Sequence, residues 1–425
     1  MPRGTALLKT KGYIKMKGES EMNRRLLVIV VVIGLVILSL IFGACVFPFL
    51  PAPWSEYSVI YGDSFDYKVT DIITETNVIV VDTLPEGYAG PEDFAFDFER
   101  GIGCTGTETE AEGENGVLWC YQGGERYKIE DNEFSRLTGM AFLPGERIVA
   151  ADFLTGTLLI DISEGLSVKP RVSHLDYEVG VDGIAVSPDG KKVFVTDGIE
   201  VQMEWNGALG SQPLVMEGFF QLRMNSGSVS SIDLETGVKK PLIGELYFPA
   251  GLAVGSSGDK LLVPEMWKCG LREFDPSTST FDRVLIEDSP FQIDGVSVGP
   301  NGEIVVAFVE PREGFFEFLQ VRPTLRALLW PAFMDVIMSM DQEQAASGFL
   351  ILSEEGNLIA FYRDTDGSVA DHISSAYLIT ADDYRRIFDP DYKGTGWIVI
   401  LGTVSKVDGN KIKAIAIENL VPELD

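Results

Sequence analysis

Four glycines, Gly139, Gly183, Gly251 and Gly295, recur at intervals of 44, 68 and 44 residues, and each opens a related phrase. The phrases read Thr138-Gly-Met-Ala-Phe-Leu-Pro-Gly-Glu-Arg-Ile-Val-Ala-Ala, Asp182-Gly-Ile-Ala-Val-Ser-Pro-Asp-Gly-Lys-Lys-Val-Phe-Val, Ala250-Gly-Leu-Ala-Val-Gly-Ser-Ser-Gly-Asp-Lys-Leu-Leu-Val and Asp294-Gly-Val-Ser-Val-Gly-Pro-Asn-Gly-Glu-Ile-Val-Val-Ala. A worn copy begins Glu92-Asp-Phe-Ala-Phe-Asp. Strand formers flank a Gly- or Pro-bearing turn in each phrase, so each reads as strand, turn, strand. A unit near 44 residues with no helical period between copies predicts an all-β fold, a β-propeller built blade by blade. In a propeller, equivalent positions of successive blades face one central channel, so aligning the phrases also aligns a candidate site.

Six blades fit the chain, at roughly 85–137, 138–181, 182–246, 247–291, 292–346 and 347–417. The alternating stretch Val78-Ile-Val-Val-Val-Asp82 is expected to pair with the last blade and close the ring, leaving no open sheet edge. The third blade carries an insertion, Glu200 to Met224, expected to project as a loop. Residues 313–347 break the strand pattern: Phe315, Phe318, Leu319, Leu325, Leu328 and Leu329 recur at helical spacing, which predicts a short helical insertion before the last blade. A lid, a membrane-surface contact and a packed structural insert are all open readings of it. Residues 418–425 form a short tail.

The 84 residues before the propeller divide into a polar tail (1–25), an apolar run (26–46) and a stalk with first strands (47–84). Leu26 to Val46 carries no charge and is long enough to cross a bilayer. Seven Lys/Arg and two Asp/Glu lie in the first 45 residues, so the positive-inside rule keeps the N-terminus cytoplasmic and the propeller outside. Two other readings remain: a lipoprotein site at Gly43-Ala44-Cys45 after a start at Met22, and a cleaved signal. All three place the propeller outside the cytosol. There, Cys104 and Cys120, on neighbouring strands of one blade, could form a disulfide; two buried thiols is the alternative.

The net charge of the chain is −30, and the part after residue 45 carries about −35. Nucleic-acid binding needs a basic footprint and is disfavoured. An acidic surface suits a soluble domain or one that binds cations. The aligned phrases superpose Glu92, Thr138, Asp182, Ala250 and Asp294, each expected just before its innermost strand. Three carboxylates at one channel mouth need a cation or a proton. Their oxygens suit Ca²⁺, which accepts irregular oxygen geometry. The plain alternative is three turn carboxylates capping strand ends. Gly101-Ile-Gly-Cys-Thr-Gly106 matches a dinucleotide pattern but leads into an acidic loop rather than a helix. Asp364-Thr-Asp-Gly367 is expected to be a turn. With only His174 and His372, and no Gly-x-Ser-x-Gly, a Ser-His-Asp hydrolase is disfavoured and a histidine-rich zinc site is excluded.

Several stretches resemble the strictosidine synthase-like family. They are Phe248-Pro-Ala-Gly-Leu-Ala-Val with Leu261-Leu-Val-Pro-Glu265, Val193-Phe-Val-Thr-Asp197 with Gly227-Ser-Val-Ser-Ser-Ile-Asp-Leu-Glu-Thr-Gly237, and Gly356-Asn-Leu-Ile-Ala-Phe-Tyr-Arg-Asp-Thr-Asp-Gly367 with Trp397-Ile-Val-Ile-Leu-Gly-Thr403. Phe316 to Leu329 is similar to that family's helical insertion. The wider group holds gluconolactonase and regucalcin, paraoxonase-like arylesterases and membrane-anchored adipocyte-type proteins, whose short tail, single span and exported propeller this chain shares. The resemblance implies a divalent metal held by Glu, Asn and Asp at positions matching Glu92, Ala250 and Asp294. Here the Asn is Ala250, and Asp182 is the expected extra ligand. The acid/base glutamate of strictosidine synthase aligns with Ser375, so that activity is not implied. The expectation is therefore an exported, membrane-tethered, Ca²⁺-dependent hydrolase of lactones or aryl esters. Glu92, Asp182 and Asp294 would hold the metal, and Asp182 or Asp294 would serve as base. A non-catalytic binding propeller with a degenerate metal site is the alternative.

Overall fold

A computed structural model describes residues 70–109, 115–198, 225–312, 346–404, 410–418 and 420. The strands form six antiparallel sheets, the blades of one propeller. From the channel outward, the second blade runs Leu137–Leu143, Arg147–Asp152, Gly156–Asp161 and Arg171–Asp176. The third runs Val181–Val186, Lys192–Asp197, Gly227–Asp233 and Lys239–Leu246. Inside the third blade's first hairpin, Ser187-Pro-Asp-Gly190 forms the turn: Gly190 N–H donates to Ser187 C=O at 2.8 Å, and Gly190 takes a φ of 65°. Proline at the second position and glycine at the fourth suit this turn, which is why the phrase carries them.

The second strand of each blade is buried on both faces, because each blade lies between two others. Val149, Val193, Val195, Val305 and Val306 are all fully buried. Adjoining blades share one apolar cluster. Leu143, Val149 and Ala151 of the second blade meet Val181, Val193 and Val195 of the third. Phe94, Trp119 and Tyr121 of the first blade meet Ile398, Ile400 and Ile412 of the last. The recurring glycines sit where the blades come closest. A Cβ at Gly183 would lie 2.6 Å from Gly251 C and 2.7 Å from Leu252 N of the next blade, and one at Gly251 would lie 2.9 Å from Asp294 O. Gly139 and Gly295 abut the backbones at Asp182 and Ser374 in the same way. The repeat is thus kept by the contact of one blade's backbone with the next, which leaves no room for a side chain.

Ring closure follows the sequence. Val78–Thr83 pairs antiparallel with Lys411–Ile417 as the outer strand of the last blade, whose other strands are Ile373–Thr380 and Trp397–Thr403. Cys104 and Cys120, partners in register on adjacent strands, form a disulfide. The boundary between the last two blades differs from expectation. Ser347–Leu352 and Leu358–Asp364 complete the fifth blade, after Phe291–Val298 and Ile304–Pro311. The interruption at 313–345 therefore falls inside the fifth blade, between its second and third strands, rather than before the sixth; its predicted helices lie outside the described residues. A strong β pattern resumes after the interruption, and the pattern by itself could not say to which sheet those strands return. Asp71–Ile72 adds a parallel edge to the fifth blade, also unforeseen. The described helix, α1 (Ala381–Ile387), joins the first two strands of the last blade at the end away from the channel mouth. Thr380 caps it by accepting from Asp383 N–H. Gly101 to Gly106 leads through strand Ile102–Thr109, not a helix. Asp364 accepts from the backbone N–H groups of Gly367, Val369 and Ala370, which makes Asp364–Gly367 a side-chain-held turn.

Residues 26–46 and the loop 200–224 lie outside the described residues. Among the described residues, no helix is long and apolar enough to cross a membrane.

Candidate functional site

At one end of the channel, all five aligned residues converge. Glu92, Thr138, Asp182, Ala250 and Asp294 line one cavity together with Ser374, Ser375 and Tyr377 of the last blade. Its volume is about 30 Å³, room for one or two waters or a small group. The aligned acids do not simply precede their strands. Asp182 and Asp294 lie within Val181–Val186 and Phe291–Val298, at register shifts between Val181 and Ile184 and between Ile293 and Val296. The second blade shifts between Leu137 and Gly139, and the sixth between Ile373 and Ser375. A bulge at the channel end of a strand re-aims the side chain it carries, and here it turns blade after blade toward the mouth.

The carboxyls differ in what they touch. Asp182 and Asp294 are 9% and 8% exposed, and no hydrogen bond to either side chain is present among the described residues. Burial, then the Glu92 charge beside them, holds both well above the usual carboxylate range; Asp294 adds to the effect on Asp182, and Arg136 opposes it. Both therefore hold a proton to higher pH than an exposed carboxyl does. Glu92 is different. Its Oε2 accepts from Arg136 Nη2 at 2.8 Å and Nε at 3.1 Å. Burial pushes the Glu92 carboxyl up, and the guanidinium offsets part of that rise. The Glu92 carbonyl accepts from the hydroxyls of Ser374 and Ser375 at 2.8 and 2.7 Å, tying the first blade to the last.

Two participants were not singled out from the sequence. Asp93 accepts from the Tyr377 hydroxyl and, at 2.9 Å, from Met140 N–H; burial raises its carboxyl to about 7. Its neighbour Glu92 is the residue in phase with the repeat, so the repeat alone does not point to Asp93. Arg136 stands two residues before Thr138, where the other phrases have Gly180, Phe248 and Gln292, so aligning the repeats hides it. Its loop is held by the buried Asp152 carboxylate, which accepts from Ser135, Arg136, Leu154 and Thr155 N–H groups. Asp152 belongs to an outer set of acids at the ends of second strands, each with a partner of its own. Asp197 accepts from Lys239 at 3.2 Å and Ser228 at 2.9 Å. Glu265 pairs with Arg272, and Glu310 accepts from Gln292 at 2.7 Å. The acids of this outer set are held by neighbours, and among the described residues Asp182 and Asp294 are the acids that face the cavity without a side-chain hydrogen bond. His174 pairs with Glu133 and His372 with Asp371, away from the cavity lining.

The resemblance implies a metal, and the donor set does not fit it. Among the described residues, no group of three or more His, Cys, Asp or Glu side chains is placed to hold a metal ion. Glu92, one of the three expected ligands, is engaged by Arg136, and Ala250 supplies no side-chain oxygen. With Asp93 engaged by Tyr377 and Met140, the two carboxyls left without partners, Asp182 and Asp294, fall short of the six to eight oxygens that Ca²⁺ takes. The expected Ca²⁺ site of Glu92, Asp182 and Asp294 is thus brought together as residues but not assembled as a cradle.

The fold and the site define a six-bladed propeller with a carboxyl-lined channel mouth, one of whose carboxyls is paired with an arginine. Comparison places it beside adipocyte plasma membrane-associated protein. It is 25% identical over 219 residues to the Bos taurus protein, covering 50% of each chain. It is 26% identical over 204 residues to the Homo sapiens protein, covering 46% of each. The chain spans about half the length of the curated relatives it matches. This homology and the six blades agree with the propeller superfamily that the motifs resemble. No protein-family model matches the chain. Similar solved structures include a calcium-binding protein, regucalcin, from Agrobacterium tumefaciens (13% identity, 80% of this chain and 92% of that one, TM-score 0.48). A luciferin-regenerating enzyme is similar to the same degree (12% identity, 80% and 95%, TM-score 0.48). At these identities and TM-scores, neither says what this chain binds or does.

Proposed function

We propose that the channel mouth hydrolyses a small ester or lactone, with Asp182 and Asp294 as its acid–base pair. The observation that carries this reading is the presence of two buried, unpartnered carboxyls at one cavity, both holding a proton to higher pH than an exposed carboxyl does. Neighbouring carboxyls that cannot both ionise share out their protons, so one acts as acid while the other acts as base. The ionised member takes a proton from water as its oxygen attacks the carbonyl carbon. The protonated member hydrogen-bonds the carbonyl oxygen and then protonates the departing alkoxide as the ester C–O bond breaks. Arg136 supplies fixed positive charge beside the developing oxyanion. No step passes through Ca²⁺, because the residues do not cradle it. We further place the propeller outside the cytosol on a membrane tether. The apolar run 26–46 behind a basic tail, the Cys104–Cys120 disulfide and the membrane-associated relatives support that placement.

A second reading, a non-catalytic propeller that holds a small ligand at the same mouth, is favoured by Ala250 and by the Arg136 pairing that engages Glu92. Hydrolysis of a panel of lactones and phenyl esters by the full chain, in EDTA and in Ca²⁺, separates the two. Turnover in EDTA that falls by about a hundredfold or more in Asp182→Asn and Asp294→Asn is the expected result. Normal turnover in Asp294→Asn sinks the acid–base assignment. No turnover on any substrate in either condition hands the site to the binding reading.

A further inference from the structure

We infer that Arg136 is the resident cation beside the channel mouth, supplying through Glu92 the positive charge that a divalent ion would otherwise bring to the carboxyl ring. The inference concerns the charge balance of the site and holds whether or not the mouth is catalytic. Four carboxyls, Glu92, Asp93, Asp182 and Asp294, sit at or beside one small cavity, and such a cluster requires positive charge or protons. One guanidinium meets that need from within the chain. It bonds Glu92 through two nitrogens, lies 4.0 Å from Glu108 Oε2, and acts electrostatically on both Asp182 and Asp294.

The guanidinium is also built in. Asp152 accepts the N–H of Arg136 itself at 3.0 Å and that of Ser135 at 2.5 Å, fixing the backbone from which the side chain meets Glu92. Arginine stays charged at every working pH, whereas a metal site empties and fills with the medium. The mouth therefore has a fixed charge state that is indifferent to Ca²⁺.

This predicts a gain of function on deletion. The full chain is melted in EDTA and across a Ca²⁺ titration to millimolar concentration, as wild type, Arg136→Gln, Arg136→Lys and Glu92→Gln/Arg136→Gln. Wild type and Arg136→Lys should show no Ca²⁺-dependent shift. Arg136→Gln frees Glu92 to join Asp182 and Asp294, and should gain a saturable rise in Tm of about 5 °C at a hundredfold excess over Kd. The double variant, short of one ligand, should lose most of that rise. A saturable Ca²⁺ shift in wild type that Glu92→Gln removes overturns the inference, as does an Arg136→Gln protein that folds and ignores Ca²⁺. Should Arg136→Gln fail to fold without Ca²⁺, folding on its addition is the supporting result. If it folds in neither condition, recovery in the double variant supports charge pairing and no recovery refutes it.

Discussion

Substituting alanine for Gly183 tests the idea that the repeat is kept for blade-to-blade contact. The backbone at Gly183 is not in the left-handed region, so alanine suits its conformation. The whole penalty should come from packing. The new methyl would lie 2.6 Å from Gly251 C, 2.7 Å from Leu252 N and 3.0 Å from Ala250 O. Reaching ordinary contact requires a shift of about 0.8 Å between two backbones in a close-packed ring. The Gly183 N–H also donates to the Thr196 hydroxyl at 2.7 Å, a bond that the shift would stretch. Overpacking costs about 1–3 kcal/mol, and contact with backbone rather than a pliant side chain argues for the upper end. At roughly 2 °C per kcal/mol for a domain of this size, Tm should fall by about 6 °C. The control is Gly244→Ala, where nothing lies within 4 Å of the added methyl. There, relief of unfolded-state entropy should leave the protein unchanged or stabilise it by up to about 1 kcal/mol. Both variants are melted by circular dichroism. A Gly183→Ala protein melting within about 2 °C of wild type would show that the ring adjusts freely, and the account of the repeat would fail.

Two further outcomes follow from the site and the disulfide. Asp93 is raised from 3.8 to about 7 by burial, so its stabilising protonated form is complete below pH 4 and is lost as the pH rises through 7. Asp182 and Asp294 are raised by the same cause, so they act in the same direction and wild-type Tm should fall as the pH rises from about 4 through 7. Asp182→Asn, which loses no side-chain hydrogen bond, should match wild type at pH 4 and exceed it at pH 8; a lower Tm than wild type at pH 8 contradicts the assignment. Replacing both Cys104 and Cys120 by alanine opens a link across a sequence separation of 16 residues. The loss should be about 3 kcal/mol, read from denaturant melts, and a loss under 1 kcal/mol would mean that the rigid first blade already restrains that loop.

Much of the architecture was legible because a propeller repeats its own solution. Each phrase carries the strand formers, turn residues and contact glycine that one blade needs, so the blade count, the closing strand at Val78–Thr83 and the convergence of Glu92, Asp182 and Asp294 could be read in one dimension. Tertiary structure alone decided what the repeat does not contain. The strands after residue 346 return to the fifth blade because their partner is Ile304–Pro311, a pairing that local pattern leaves open. The charge state of the mouth is set by Arg136, Asp93 and Tyr377, none of them in phase with the aligned acids. Strand identity is a local property of the chain, repeated and therefore visible. Electrostatic balance is a property of the space between blades, where a single unrepeated guanidinium from one loop pairs with one of three aligned carboxyls.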